Sequence, residues 1–196
     1  MKPIFQKIWD LAENYQDKRD DEGHAKTVLK YAIKLLQIIP ADDKIVIPAA
    51  ILHDIGWSQL SKVDRMKIFQ DNISSEEKIR LRTIHEKEGA KLACKILKQI
   101  NYDNNLTEEI LKIVDGHDTR TNFFSKEDGI VRDADKLSIF SKWGVNNDLT
   151  IRKNIVPKEY LNLLEEKLHN KYRFYYKESE QMALKELTTR KKEYGA

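Results

Sequence analysis

Lys44-Ile45-Val46-Ile47-Pro48-Ala49-Ala50-Ile51-Leu52-His53-Asp54-Ile55-Gly56 is apolar on almost every side until it reaches two adjacent polar residues. A helix that is apolar all round belongs at the centre of a fold. Asp42 and Asp43 stand before the run as N-cap residues, Pro48 is tolerable as a first-turn residue, and Gly56 ends the segment. His53 and Asp54 therefore sit at the tip of the most buried element. Two polar groups are costly there unless something pairs with them.

Outward from this run the chain reads as nearly all helix, with Gly 7 and Pro 4 and with Lys, Glu, Leu, Ile and Ala abundant. A first helix carries Ile4, Phe5, Ile8, Trp9, Ala12 and Tyr15 on one face, and the charged run Gln16 to Gly23 breaks it. The second opens near Asp21, sets His24, Val28, Tyr31, Ala32, Leu35 and Ile39 at three- and four-residue steps, and stops at Pro40. Beyond Gly56 a short polar helix is predicted from Lys62 to Gln70. A capping box at Ser74-Ser75-Glu76-Glu77 then opens a long helix through Arg82 to Ile100. Thr107-Glu108-Glu109 starts another, with Ile110, Val114 and His117 on one stripe. Ser125 and Asp128 cap one from about Glu127 to Trp143, and Trp143 to Val156, with its paired asparagines, reads as a loop. A charged pair of helices, Lys158 to about Lys171 and Tyr172 to Tyr194, is expected to pack on the main bundle as a C-terminal hairpin.

With 196 residues the chain is one domain's worth, spanning 1–196, with a bundle core at about 20–145 and C-terminal helices at about 157–194. Lys+Arg 35 against Asp+Glu 32 leaves a net charge of +3, with both signs interspersed, so no basic arm announces a nucleic-acid partner. Cys94 is the only cysteine, which rules out an internal disulfide and fits a reducing, cytoplasmic setting. The start at Met1 runs straight into amphipathic sequence, and no apolar stretch approaches the ~18 residues that a membrane span needs.

Four of the five histidines, His24, His53, His85 and His117, fall near four successive helices, with Asp54 directly after His53 and Asp135 on a fifth. Imidazoles and carboxylates converging from separate helices are how a bundle core holds a divalent cation. Adjacent residues on a helix diverge by about 100°, so His53 and Asp54 meet one ion only at a helix tip. In Val131-Arg132-Asp133-Ala134-Asp135-Lys136-Leu137 the buried face is Ile130, Val131, Ala134 and Leu137. Asp135 lies at its margin and Asp133 nearly opposite, so Asp135 is the chosen ligand, and Asp133 faces solvent or orients a ligand from behind.

The ordered set His24, then Ala50-Ile51-Leu52-His53-Asp54-Ile55-Gly56, then Asp133-Ala134-Asp135-Lys136-Leu137, resembles the HD-domain superfamily of metal-dependent phosphohydrolases over roughly residues 20 to 145. The resemblance implies an all-α HD-domain-like bundle in which His24, His53, Asp54 and Asp135 bind one divalent metal. His85 in Arg82-Thr83-Ile84-His85-Glu86-Lys87-Glu88-Gly89-Ala90 and His117 in Asp115-Gly116-His117-Asp118 resemble positions that family members place around the same cavity. They hold a second ion with Asp118, Asp54 bridging, or else contact substrate or move a proton. Two departures stand out: Trp57 replaces the lysine of the common HDIGK, and His117-Asp118 replaces a common His-His pair.

The implied activity is hydrolysis of a nucleotide or another small phosphate ester by metal-activated water. Asp54 holds or deprotonates that water, and Arg120 or Lys136 meets the phosphate. N/O ligands accept Mn, Fe, Co, Ni, Zn and, less readily, Mg. The alternatives are a di-iron oxygenase built on a similar His/Asp set and a non-catalytic module that senses a nucleotide. His169 lies on a charged helical face and reads as solvated. The aromatics Tyr172, Phe174, Tyr175 and Tyr176 read as core or homodimer contact rather than as a base-stacking platform.

Overall fold

The computed structural model describes residues 1–70, 72–152, 155–170 and 172–195. Among these are ten α-helices and no strand: α1 Pro3–Ala12, α2 His24–Leu36, α3 Asp43–Leu52, α4 Lys62–Lys67, α5 Ser75–Gln99, α6 Asn104–Val114, α7 Lys126–Phe140, α8 Lys142–Ile151, α9 Pro157–Asn170 and α10 Lys177–Glu193. The all-α bundle with a C-terminal helical extension is thus what the chain forms. Among the described residues no helix is long and apolar enough to cross a membrane.

Helix α3 is the hub, packed against α1, α2, α6 and α7, and every residue from Ile45 to Leu52 is buried. Burying Ile45, Val46, Ile47, Ile51 and Leu52 at roughly 1.5–3 kcal/mol each contributes on the order of 10 kcal/mol before chain entropy is counted. Asp42 caps it by accepting from the Lys44 N–H. Pro48, however, lies inside the helix rather than in its first turn. Its missing N–H leaves the Lys44 carbonyl without its helical donor, and the Tyr102 hydroxyl supplies one at 2.7 Å.

Several element boundaries differ from the sequence expectation, each for a local reason. Helix α2 begins at His24 rather than near Asp21, because Gly23 takes a left-handed φ of 97° and the Asp17 carboxylate accepts from the Gly23 and Ala25 N–H groups. Helix α6 starts at Asn104, capped by Asp103, ahead of Thr107. Helix α7 stops at Phe140, and the expected loop after Trp143 is instead helix α8. The Ser141 hydroxyl caps that helix by accepting from the Gly144 N–H at 2.9 Å.

The run Tyr172 to Tyr176 is a non-helical connection between α9 and α10, and the expected helix end at Lys171 lies outside the described residues. Buried Asp133 draws it onto α7, accepting from the Tyr175 N–H at 2.9 Å and the Tyr176 N–H at 2.9 Å. Asp133 therefore neither faces solvent nor orients a ligand; it clamps the connection that leads into α10. Tyr172 and Phe174 pack beside Phe140, and Tyr175 beside Phe123. One hydrophobic cluster runs from Phe5 through α3 to Leu164, Ala183 and Leu187, so the C-terminal helices share the core with the bundle.

Candidate metal centre

His53 caps the C-terminus of α3 and Asp54 leaves the helix at φ −104°, ψ 1°, so the two side chains no longer diverge at the helical angle. Around them come His24 from the first turn of α2, His85 from mid-α5, His117 from just beyond α6, and Asp135 from α7. The two oxygens of Asp54 face different partners. Its Oδ2 lies 3.2 Å from His24 Nε2 and 3.7 Å from His53 Nε2. Its Oδ1 lies 3.2 Å from His117 Nε2 and 3.4 Å from His85 Nε2.

Asp135 Oδ1 closes the first group at 3.4 Å from His24 Nε2 and 3.8 Å from His53 Nε2. Asp118 Oδ2 closes the second at 3.8 Å from His85 Nε2. Three overlapping triads result, His24–His53–Asp135, His53–Asp54–His117 and His85–His117–Asp118, each with its ligand atoms within 4.8 Å of one another.

The donor set fits a divalent cation on several counts. The Nε2 atoms of His24 and His53 face each other at 3.2 Å, and those of His85 and His117 at 3.4 Å. Two ring nitrogens in such opposition need a proton or a cation between them. His53 and His117 donate from Nδ1 to the carbonyls of Ala50 and Val114, each at 2.9 Å, which turns Nε2 toward the cluster. Among the described residues His85 Nδ1 has no hydrogen-bond partner, and its ring is held by stacking on Trp57 at 4.0 Å. Trp57, standing where lysine is common, cannot offer a cation; its Nε1 donates to Asp54 Oδ1 at 3.2 Å.

The electrostatics favour a negative Asp54 and protonated His24 and His117. Burial alone would raise the Asp54 pKa, but Arg19, His53 and hydrogen bonds from His117 and His24 hold it well below the carboxylate range. Burial opposes charge on His24 and His117, yet Asp54 outweighs it, lifting His24 and taking His117 to about 10. For His53 burial prevails and its pKa falls.

Two functional neighbours were not legible as such. Arg19 donates to Asp54 Oδ2 at 2.5 Å, pairs with Asp21, and lies 4.9 Å from the centre of the Trp57 ring. Glu86, 1% exposed on charged α5, accepts from the Asp118 and Thr119 N–H groups at 2.8 Å and from the Thr119 hydroxyl. It fixes the turn that carries His117 and Asp118. Arg19 sits in an aperiodic charged run and Glu86 among lysines and glutamates, so periodicity marks neither.

The structure does not bring Arg120 or Lys136 to the cluster. Arg120 donates to the Lys112 carbonyl at the end of α6, where Gly116 at φ 123° leaves room for its guanidinium, and pairs with Asp128. Lys136 points about 100° away from Asp135 and donates to the Arg173 carbonyl at 2.7 Å. His24, Asp54, Asp118 and Asp135 of the cluster instead form the floor of a cavity of about 520 Å³ that Arg19, Lys78, Arg82 and Arg152 also line. His169 is exposed on α9, as expected.

The HD domain family model matches residues 22–139. A solved structure of a predicted HD superfamily hydrolase from an uncultured Thermotogales bacterium is 20% identical, with a TM-score of 0.56 over 96% of this chain and 86% of that one, a likeness of fold. No curated protein matches. With a match over more than half its length that takes in every residue from His24 to Asp135, this chain belongs to the HD domain family.

Proposed function

We propose that the protein is a metal-dependent phosphohydrolase acting on a nucleotide or another small phosphate ester. The observation that carries this reading is Asp54, whose two oxygens each face a separate pair of imidazoles at the floor of a cavity. His24, His53, Asp135 and Asp54 Oδ2 would hold one divalent ion, and His85, His117, Asp118 and Asp54 Oδ1 a second. When bound, such ions polarise a phosphoryl oxygen and lower the pKa of water.

The chain's own groups do the rest. Asp54 orients the attacking water. Arg19 and Arg82 offset charge on the phosphate oxygens from the cavity wall. Glu86 keeps His117 and Asp118 in register with Asp54. With only the ion that His24, His53, Asp54 and Asp135 would hold, His117 Nε2 is left to pass a proton to the leaving oxygen.

The test is metal analysis of unsupplemented protein, followed by a panel of nucleotides and phosphate esters with Mn, Fe, Co, Ni, Zn and Mg in turn. Turnover that depends on metal and disappears in Asp54→Ala supports the reading. Metal-replete protein that leaves the whole panel untouched overturns it. Oxygen consumption by iron-loaded protein would favour an oxygenase, and tight nucleotide binding without turnover a sensing module.

A further inference from the structure

The cavity over the candidate metal centre has two walls of different origin. One is the N-terminal part of α5. The other comes from α8, α9 and the connection after it, through Trp143, Asn147, Asp148, Arg152, Tyr160 and Tyr172, all beyond residues 22–139. Trp143 is fixed in that wall: its Nε1 donates to the Glu22 carbonyl at 2.7 Å and its ring lies 5.5 Å from that of His24. The C-terminal extension thus completes the cavity as well as the core.

Positive charge in this cavity is unevenly matched. Near the floor, Arg19 is paired with Asp54 and Asp21, and Arg82 lies 3.7 Å from Asp118. Lys78 and Arg152 line the same cavity, yet neither side chain has an ion pair or hydrogen bond among the described residues. Lys78, Arg82 and His85 follow one stripe of α5, at steps of four and three residues. At 1.5 Å per residue, Lys78 stands about 10 Å along the helix axis from His85. The stripe runs from spare charge at the rim to neutralised charge at the floor.

Building on the phosphohydrolase reading, we infer that Lys78 and Arg152 form a distal anion subsite, so that the substrate carries a second anionic group several ångströms from the reacting phosphate. The substrate class is then a phosphate ester whose leaving group is itself phosphorylated or carboxylated. A simple monoester fills only the floor. The volume of about 520 Å³ is ample for a sugar or nucleoside carrying two such groups.

The experiment is calorimetric titration of the metal-loaded protein with fructose monophosphate and fructose bisphosphate at low ionic strength, for wild type and for Lys78→Ser with Arg152→Ser. Wild type should bind the bisphosphate about tenfold or more tightly, since one charged hydrogen bond contributes that much. The double variant should lose this preference while keeping its monophosphate affinity and metal content. Equal affinity of wild type for the two sugars, or an equal loss for both in the variant, overturns the subsite. Turnover of the phosphate-ester panel is read separately. Activity without preference for doubly anionic compounds removes the subsite and keeps the hydrolase; preference in binding without any turnover does the reverse.

Discussion

Gly56 closes the segment that opened the sequence reading, and the structure shows why a side chain is excluded there. A Cβ on Gly56 would lie 1.9 Å from the His85 carbonyl oxygen and 2.5 Å from the Gly89 nitrogen, both backbone atoms of α5. Real Cβ contacts essentially never fall under 3.0 Å, so Gly56→Ala must push the turn and α5 apart by about 1 Å. Overpacking of this kind costs typically ~1–3 kcal/mol, and rigid backbone on the receiving side places this case near the upper end. For a chain of this length that is a fall in Tm of about 6–12 °C.

Gly89→Ala is the matched control. Its Cβ would meet Val114 Cγ1 at 3.3 Å and the Gly56 nitrogen at 3.4 Å, a slight crowding set against the helix propensity gained, so stability should stay within about 1 kcal/mol of wild type. Thermal melts followed by circular dichroism measure both. Because the separation carries His85 away from His117 and Asp54, Gly56→Ala should also retain less metal than Gly89→Ala. A Gly56→Ala protein that melts with wild type, or below which Gly89→Ala falls, would refute the packing argument.

Other outcomes follow from single contacts. Tyr102→Phe strands the Lys44 carbonyl opposite Pro48 and should cost about 1 kcal/mol in urea unfolding; an unchanged midpoint would mean that water replaces the hydroxyl. Asp133→Ala removes the acceptor of two backbone N–H groups, which at ~1.5–3 kcal/mol each should destabilise by about 3 kcal/mol or more. Limited proteolysis should then cut first near Tyr175, and cleavage elsewhere would speak against the clamp. Asp54→Ala should abolish retained metal, measured by elemental analysis, whereas exposed His169→Ala should leave it unchanged. Equal loss in the two would mean that the centre lies elsewhere.

What could be read in advance was whatever periodicity or adjacency encodes. The all-round apolarity of Ile45 to Leu52 marked the hub, and the histidine of each successive helix marked the converging groups, because a polar group on an apolar face needs a partner. Asp135 was separable from Asp133 by helical angle. The fate of Asp133 was not, since its partners are backbone N–H groups more than forty residues away. Helix α8 was misread because its cap, Ser141, reads equally well as the interior of a longer helix, and paired asparagines suggest a loop. Arg19, Arg120 and Lys136 show the same limit. A cation's sequence neighbours do not say which carboxylate or carbonyl will claim it.

Asp133 and Asp135 stand two residues apart on α7, one clamping the backbone of Tyr175 and Tyr176, the other completing the histidine cluster. During synthesis the ribosome releases all of His24 to Asp135 some forty residues before those tyrosines. For that interval Asp133 lacks its amide donors, while the groups that seat α7 against α2, the His24–Asp135 pair among them, are already made. The tyrosine pair is then the last partner to reach α7, so one helix ties the histidine cluster to the seating of the C-terminal helices.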